Sequence, residues 1–220
     1  MIKKLLLSAT LVGFTVIAGE AANATPITVV NGSFETLPAG GLNNMGCGAG
    51  CAYSTGLGIP GWVTTGGAVT GQFQPGSSGA YFNSVPNGIT VAYTNGGTIS
   101  QTVSATALAN QIYSLQVDLG FRKDVADPGT ITLQIGSHSI LATGVPAPLS
   151  GNFVTYSAFF TTTAADAGSA ISISLASAAA QGDFDNVRLD ASPVSVPEPL
   201  TLSIFGAGVA GVAVVRRRRK

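Results

Sequence analysis

The sequence feature that most restricts the possible fold is a regular alternation of apolar and polar residues in several short segments. Every second residue is apolar in segments 113–121, 131–135, 154–160 and 171–175. Successive side chains of a β-strand point to opposite faces, so each of these segments would present one apolar and one polar face. Such two-faced strands are typical of antiparallel sheets that pack together as a sandwich.

Turn-forming residues separate these segments. The strongest turn signals are Asn31-Gly32, Asn87-Gly88, Asn95-Gly96-Gly97 and Asp127-Pro128-Gly129. No internal stretch has the length and the period of a long amphipathic helix. The sequence therefore predicts an all-β fold, an antiparallel β-sandwich of the jelly-roll type. We predict strands near residues 27–35, 62–73, 79–83, 88–94, 97–104, 111–121, 129–141, 152–162 and 170–190, the last segment forming two strands.

Charge is scarce in this chain, and its distribution excludes several classes of protein. Charged residues make up 9% of the sequence, against about 25% in an ordinary soluble domain. A chain this rich in apolar residues and this poor in charge does not have the composition of a disordered protein. Residues 25–195 hold three basic residues against eight acidic ones, a net charge of −5, so no basic face can form for nucleic acid.

The first 24 residues have the three parts of a secretory signal peptide. Lys3 and Lys4 precede an apolar stretch over residues 5–18, and Ala22-Asn23-Ala24 supplies the small residues of a cleavage site. The alternative is an N-terminal membrane anchor, but a membrane span needs about 20 apolar residues and this stretch is shorter. We therefore predict export by the Sec machinery and cleavage after Ala24.

The C-terminal residues carry a short motif, an apolar run and a basic cluster, in that order. Pro197-Glu198-Pro199 precedes the apolar residues 200–215, which we predict as a transmembrane helix. The chain then ends in the cluster Arg216-Arg217-Arg218-Arg219-Lys220. Such a cluster stays on the cytoplasmic side of a membrane, so the preceding domain would lie outside the inner membrane.

This tail resembles the PEP-CTERM sorting signal of Gram-negative bacteria. The resemblance implies recognition by an exosortase, removal of the tail, and delivery of the protein from the inner membrane to the cell surface or the extracellular matrix. A plain C-terminal membrane anchor is the alternative. The predicted organisation is a signal peptide over residues 1–24, a β-sandwich over 25–195 and a sorting signal over 196–220.

Cysteine and histidine are rare enough here to be judged residue by residue. Cys47 and Cys51 flank a Gly-rich spacer, and an even cysteine count in an exported chain predicts a disulfide. A metal site is the alternative, but two thiolates alone lack the four ligands of structural zinc. His138 is the only histidine, and no G-x-S-x-G motif supplies a nucleophile for it. We therefore predict no catalytic residues.

Two aspartates near the end of the sandwich are candidate metal ligands. Simple alternation places Asp183 and Asp185 on the same face of the last strand as Val187 and Leu189. A carboxylate at an apolar face is costly unless it is paired or coordinated, and Ca²⁺ binds carboxylate and carbonyl oxygens. Hydrogen bonding within the turn at residues 181–183, without a metal, is the alternative.

Three motifs resemble those of galactose-binding-like jelly-roll domains, a group that includes carbohydrate-binding modules. They are Asn31-Gly32-Ser33-Phe34-Glu35, Ile59-Pro60-Gly61-Trp62 and Asp183-Phe184-Asp185-Asn186-Val187-Arg188-Leu189. In such modules a structural calcium ion often lies near the joined first and last strands. The resemblance implies this role for Glu35 and Asp185, with Asp183 as a further candidate ligand.

The same resemblance implies that exposed aromatic rings bind carbohydrate by stacking on the apolar face of a sugar. The candidates are Trp62, Tyr81 and Tyr93, with Tyr53 and Phe73 as further aromatic residues. Trp62 is the only tryptophan, and it can equally be a core residue.

Together these features predict a non-catalytic, exported protein of the cell surface or the exopolysaccharide matrix. Its expected partners are the Sec machinery, an exosortase, the inner membrane before processing, and exopolysaccharide, with no nucleic acid. A purely structural or adhesive surface protein without sugar binding is the first alternative. A glycoside hydrolase or lyase is the second, in which Glu35 and Asp185 would form the pair of carboxylates that hydrolysis requires.

Overall fold

The computed structural model describes residues 23–47, 50–65, 69–125, 129–178 and 180–194. These residues form two antiparallel β-sheets packed as a sandwich, so the predicted all-β fold is confirmed. The predicted signal peptide, the transmembrane helix and the sorting residues lie outside the described ranges. No helix in the described ranges is long and apolar enough to cross a membrane.

Thirteen strands and one short 3₁₀ turn, at Ala164–Asp166, make up the described part of the chain. The strands are β1 Thr25–Ile27, β2 Asn44–Cys47, β3 Cys51–Tyr53, β4 Val63–Thr65, β5 Val69–Gln74, β6 Val91–Asn95, β7 Thr98–Thr106, β8 Gln111–Gly120, β9 Thr130–Ile135, β10 His138–Leu141, β11 Phe153–Thr161, β12 Ala170–Ala176 and β13 Gln181–Pro193.

The larger sheet is organised around β13. Its strand order is β11-β8-β13-β6-β5-β3-β2, and β1 pairs with β13 beside this path. One edge of β13 pairs with β8, while the other pairs with β6 near Asp183 and with β1 near Asp190. The smaller sheet has the order β10-β9-β12-β7-β4. The first and last strands of the sandwich therefore lie side by side.

The apolar core lies between the two sheets and is built from the alternating residues. The apolar positions of segments 113–119, 131–135 and 171–175 are all 1% exposed or less. Burying an aliphatic side chain of this kind stabilises a fold by about 1.5–3 kcal/mol. The predicted apolar faces of β8, β9 and β12 are thus confirmed.

Three regions of the larger sheet differ from the predicted strands. The strand predicted near 27–35 pairs only over Thr25–Ile27, because Asn31 and Phe34 have left-handed φ angles of 50° and 59°. No strand forms near 79–83, since residues 75–90, which we call the crossing segment, run over the outer face of the sheet. The sequence also does not predict the β2–β3 hairpin, because the glycines in this segment interrupt any alternation of apolar and polar residues.

The residues of β13 do not follow simple alternation. Phe184, Val187 and Leu189 all belong to the core and are at most 5% exposed. Strict alternation would place Phe184 on the face opposite to Val187 and Leu189. An irregularity must therefore lie between Phe184 and Val187.

That irregularity is a bulge at Asn186. The pairing of β13 with β8 shifts register between Asp185 and Arg188, and Asn186 has a left-handed φ of 53°. A bulge adds one residue to a strand and so reverses the alternation beyond it. Asp183 and Asp185 therefore lie on the outer face of the larger sheet, and the prediction that they share a face with Val187 is wrong.

Candidate functional site

The outer face of the larger sheet carries a second apolar cluster, separate from the core and rich in aromatic rings. Val91 and Tyr93 lie on this face because Ala92 between them points into the core. The buried members are Cys51, Phe73, Phe82, Val91 and Tyr93, and Cys47, Tyr53, Tyr81, Val85 and Phe153 pack around them. We call this group the outer cluster.

A cavity of about 340 Å³, which we call the tyrosine pocket, lies within the outer cluster. Its aromatic walls are Tyr53, Phe73, Tyr81 and Tyr93. The disulfide and the polar side chains of Asn95, Arg122 and Gln181 complete the lining. Small-molecule sites span about 300–1,000 Å³, so this one suits a small ligand with both apolar faces and hydrogen-bonding groups.

Arg122 follows the end of β8 and forms one wall of the pocket. Its guanidinium carbon lies 4.7 Å from the ring centroid of Tyr81 and 5.3 Å from that of Phe73, within cation–π distance. Two N–H groups donate to the Asp124 carboxylate, at 2.9 and 2.7 Å, and a third donates to Gln181 Oε1 at 2.6 Å. A guanidinium has five N–H donors. Two therefore have no partner within the described part of the chain.

Asp183 lies behind the pocket wall as a fully buried carboxyl group. Its Oδ1 accepts a hydrogen bond of 2.8 Å from Gln181 Nε2, which links it through Gln181 to Arg122. Its Oδ2 is buried without a hydrogen-bond partner among the described residues. Burial raises the pKa of Asp183 to about 7, and the Gln181 hydrogen bond and the Arg122 charge offset only part of this effect. A carboxyl group in this state is typical of functional sites.

The structure brings the predicted sugar-binding residues Tyr81 and Tyr93 to the same pocket, in different environments. Tyr93 is 3% exposed, its hydroxyl donates to Ser54 O at 2.7 Å, and burial raises its pKa to about 12. Tyr81 is half-buried, and its ring packs edge-on against Phe73 with centroids 5.3 Å apart. The Tyr81 ring is therefore the more accessible of the two, and a contact of either ring with sugar stays a prediction.

Trp62, the third predicted sugar-binding residue, lies in the core rather than in the pocket. It is 7% exposed, and its ring packs against Phe34 with centroids 5.4 Å apart. Its indole N–H donates to Asn31 O at 3.3 Å. A ring buried in this way has no free face on which a sugar can stack, so we assign Trp62 to the core.

Cys47 and Cys51 form a disulfide that closes the turn of the β2–β3 hairpin, with Cα atoms 5.3 Å apart. The hairpin joins the rest of the sheet through two residue pairs between β3 and β5, Ala52 with Gln74 and Tyr53 with Phe73. This edge of the sheet is thus held by few main-chain hydrogen bonds. The disulfide fixes the part of the hairpin that lines the tyrosine pocket.

Glu35 and Asp185, the predicted calcium ligands, both contact the end of the crossing segment. Glu35 Oε1 accepts hydrogen bonds of 3.0 and 2.8 Å from the main-chain N–H groups of residues 89–90. Asp185 Oδ2 accepts one of 2.8 Å from the main-chain N–H of Asn87. Gly88 lies between them, and a Cβ at Gly88 would overlap the Glu35 carboxylate. The absence of a side chain at Gly88 thus lets the two acids approach the same short stretch of backbone.

The environment of Asp185 is strongly acidic. Asp185 is fully buried, and burial, with further contributions from Asp118 and Glu35, raises its pKa to about 7. Arg188 lies 3.7 Å from Asp118, but no basic side chain pairs with Glu35 or Asp185 within the described ranges. A divalent cation would compensate this negative charge.

Gln72 provides a test of whether the surroundings of Glu35 fit a calcium ion. Its Nε2 donates to the main-chain oxygens of Phe34 and Thr36, on either side of Glu35. Its own Oε1 is buried and accepts no hydrogen bond from the described residues. An unsatisfied amide oxygen is of the ligand type that a hard cation takes. The site would need main-chain or amide oxygens, because no three acidic, His or Cys side chains in the described ranges are grouped for metal binding.

Asp183 does not share these contacts. Its hydrogen bond goes to Gln181, at the tyrosine pocket, and not to the crossing segment. Two buried aspartates on the same face of β13 thus contact different parts of the protein. Asp183 contacts the tyrosine pocket through Gln181, and Asp185 contacts the crossing segment.

The sequence alone does not point to Arg122 and Gln181 as pocket residues. Arg122 is one of only three basic residues between positions 25 and 195, and that rarity is the one signal that could have identified it. Gln181 carries no such signal, because its role depends on the pairing of β13 with β6.

Two solved structures are similar to this chain. One is the CBM22-1 xylan-binding domain of Paenibacillus barcinonensis Xyn10C, at 12% identity and a TM-score of 0.47, over 82% of this chain and 100% of that one. The other is the CBM22-1–GH10 modules of Clostridium thermocellum xylanase 10B complexed with xylohexaose. There the identity is 15% and the TM-score 0.41, over 63% of this chain and 27% of that one. No curated protein matches the sequence.

Two family models match the sequence. The PEP-CTERM protein-sorting motif matches residues 195–219, which confirms the resemblance of the tail and marks an exported, membrane-anchored precursor that is processed to the cell surface. The HpiC1-like family, described as HpiC1 cyclase, matches residues 25–190, and these include almost the whole sandwich. The chain therefore belongs to the HpiC1-like family.

Proposed function

We propose that this is a surface or exopolysaccharide-matrix protein of a Gram-negative bacterium whose sandwich binds carbohydrate, without catalysis, in the tyrosine pocket. The sorting motif supports the location, because it implies processing by an exosortase after export through the Sec machinery. The observation that carries the binding is the pocket, in which tyrosine rings and unpartnered Arg122 N–H groups meet in one cavity within the described structure.

The lining suits the two kinds of surface that a sugar ring presents. The half-buried ring of Tyr81 offers an apolar surface for the C–H face of a sugar. Arg122, Asn95 and Gln181 offer hydrogen-bond donors and acceptors for its hydroxyl groups. Tyr93 forms part of the pocket wall, and its hydroxyl is not free to donate to a sugar because it already donates to Ser54 O.

Calorimetry of the exported protein with matrix polysaccharides and their oligosaccharides tests this proposal. Tyr81→Ala should weaken binding by about tenfold or more, because an aromatic ring at the centre of a binding site commonly contributes more than 1 kcal/mol. Phe159→Ala is the matched control, since Phe159 is 60% exposed on β11 and does not line the pocket.

Two results would contradict carbohydrate binding at this site. The first is that no polysaccharide binds to the wild-type protein. The second is that Tyr81→Ala and Phe159→Ala bind as the wild type does. The first result would leave a structural or adhesive surface protein as the alternative, and the second would place carbohydrate binding outside the tyrosine pocket.

We further infer that Glu35 and Asp185 hold a structural calcium ion near the joined first and last strands. Two acids without a basic partner in the described ranges support this, together with the unsatisfied Gln72 Oε1. Calcium should then raise the melting temperature of the wild-type protein above its value in EDTA, because it binds only the folded state. Glu35→Gln and Asp185→Asn should abolish that increase, whereas the control Asp190→Asn should keep it. An unchanged melting temperature of the wild type would exclude the ion.

A second candidate function is proton-assisted cyclisation of a small substrate in the same pocket, which the description of the family suggests. The observation that favours it is Asp183, whose pKa of about 7 keeps a proton available near neutral pH. Asp183 Oδ1 accepts a hydrogen bond from Gln181, so the proton of the acid lies on the buried Oδ2, and a substrate would reach it only if the side chains that bury it moved aside. An NMR titration tests the premise, because an Asp183 pKa below about 5 would remove the acid that this reaction needs.

A further inference from the structure

Three Asn-Gly pairs lie in the sandwich, and the two residues of such a pair can react with each other. They are Asn31-Gly32, Asn87-Gly88 and Asn95-Gly96. In such a pair the main-chain nitrogen of the glycine can attack the side-chain Cγ of the asparagine. Glycine permits the attack because it has no Cβ to hinder the approach and a wide choice of backbone angles. The environment of each pair decides whether the attack can occur.

The structure blocks the attack at Asn31. The Asn31 side chain makes three hydrogen bonds, accepting from Thr36 N–H at 2.9 Å and donating to Thr36 O and Pro60 O at 3.0 Å each. Gly32 O also accepts a hydrogen bond from Val187 N–H, which anchors this turn to β13. The Asn31 side chain and the Gly32 carbonyl group are therefore both fixed.

The structure also blocks the attack at Asn95. The nitrogen that would attack belongs to Gly96, and its N–H donates to Ser177 Oγ at 2.9 Å. Asn95 is the last residue of β6 and is paired on both sides, with Val69 and with Gln181. Opening this site requires breaking the sheet.

Asn87 is held much less tightly. Asn87 and Gly88 are both exposed, and the Asn87 side chain makes a single long hydrogen bond, 3.4 Å to Asn186 Oδ1. The N–H of Gly88 donates to no partner in the described part of the chain. Gly88 has a positive φ of 71°, so it already uses the conformational freedom of glycine.

We propose that Asn87-Gly88 is a self-modifying site that converts Asn87 to aspartate or isoaspartate. The Gly88 nitrogen loses its proton to solvent and forms a bond to Asn87 Cγ, and the Cγ–Nδ2 bond breaks with release of ammonia. Water then opens the resulting cyclic imide at one of its two carbonyl groups. The net change is the gain of water and the loss of ammonia, with no oxidant or reductant.

The modification acts on the segment that contacts Glu35 and Asp185. It adds a carboxylate at residue 87, whose main-chain N–H donates to Asp185 Oδ2. The isoaspartate product also inserts one carbon into the backbone before residues 88–90, which carry the N–H groups bonded to Glu35. Both effects disturb the buried acidic group, so the modification should loosen the end of the crossing segment.

Ageing the intact folded protein at pH 8.5 and 37 °C, followed by peptide mass spectrometry, tests the proposal. The peptide containing Asn87 should gain about 1 Da, with release of ammonia, at least about tenfold faster than the peptides containing Asn31 or Asn95. The same protein in denaturant is the control, in which the three pairs should react at rates within about threefold of one another. Asn87→Gln should remove the fast reaction and leave the two slow ones unchanged.

Equal rates at the three pairs in the folded protein would overturn the proposal, as would a faster reaction at Asn31 or Asn95. A preference for Asn87 that persists in denaturant would also overturn it, because the selectivity would then come from local sequence. The variant Asn87→Asp provides a second measurement, since its melting temperature should fall below that of Asn87→Gln. If the two variants melt together, the added charge does not disturb the segment.

Discussion

Asp183 and Gln181 share a hydrogen bond of 2.8 Å on the outer face of β13, and the other oxygen of Asp183 has no partner in the described structure. The aspartate is fully buried, and its pKa of about 7 exceeds that of an exposed aspartate. Asp185, two residues further along, is also buried and has its pKa raised to about 7. Both groups thus favour the protonated form in the folded protein.

The first prediction concerns the dependence of stability on pH. A carboxyl group whose pKa is raised by folding stabilises the protein below its unfolded pKa, and this contribution is lost as the pH rises through the folded pKa. In EDTA, the free energy of unfolding should therefore fall between pH 5 and pH 8, by on the order of 5 kcal/mol for the two groups together. Asp124 and Asp166 do not interfere, because their pKa values are lowered and they act below pH 4.

Urea denaturation at several pH values measures this effect. Asp183→Asn removes one of the two titrating groups and should reduce the fall in stability, with a clear gain at pH 8. Asp190→Asn serves as the control, since Asp190 is paired through its backbone only in the described contacts. Stability that stays constant or increases from pH 5 to pH 8 would contradict the prediction.

The second prediction concerns the bulge in β13. Asn186 has a left-handed φ of 53°, and its Nδ2 donates to Asp118 Oδ2 at 2.9 Å. Asn186→Gly keeps the backbone angle and loses the side-chain bond, which should cost about 1 kcal/mol. Asn186→Ala also incurs the left-handed strain and should cost about 2–3 kcal/mol. Chemical denaturation distinguishes the two variants, and equal losses would mean that the φ angle is not what selects asparagine here.

The third prediction separates Trp62 from ligand binding. Trp62→Phe leaves a ring beside Phe34 but removes the hydrogen bond to Asn31 O, so it should lower stability by about 1–2 kcal/mol. Binding of any pocket ligand should be unchanged, because Trp62 does not line the tyrosine pocket. Calorimetry on the folded variant measures this, and a loss of affinity like that of Tyr81→Ala would show that Trp62 contacts the ligand after all.

The fourth prediction concerns the disulfide. Replacing both Cys47 and Cys51 by serine should cost about 2 kcal/mol or less, because the closed loop is short. The effect should be local, since the β2–β3 hairpin is held by two residue pairs to β5. Hydrogen exchange should therefore increase at residues 51–53 and stay slow in β8 and β13. Faster exchange throughout the sandwich would show that the disulfide stabilises the whole fold.

Alternation of side chains made the sandwich predictable. The stripe at residues 131–135 has apolar side chains at every second position, and burial follows directly from that pattern. The same rule failed at Asn186, because a left-handed asparagine has no signature that distinguishes it from an asparagine in a regular strand. The burial of Phe184, Val187 and Leu189 and the pairing with β8 reveal the shift in register.

The candidate sites were predictable where a short motif carries them. Glu35 and Asp185 were named together from their motifs, and the structure places both against the end of the crossing segment. Arg122 was not predictable, because its contacts with Tyr81 and Gln181 join residues 41 and 59 positions away in the chain. Local sequence patterns do not predict contacts between residues so far apart in the chain.

The position of β13 has a mechanical consequence for the precursor while its C-terminal tail anchors it to the membrane. The sorting motif begins at residue 195, immediately after β13 ends at Pro193. β13 is bonded to β8 on one edge and to β6 and β1 on the other, and these hydrogen bonds run across the strand. A force that pulls on the tail acts along β13. It therefore loads many of these hydrogen bonds simultaneously, in shear. Force on the anchored precursor would have to break the centre of the larger sheet before it could unfold the domain from its C-terminal end.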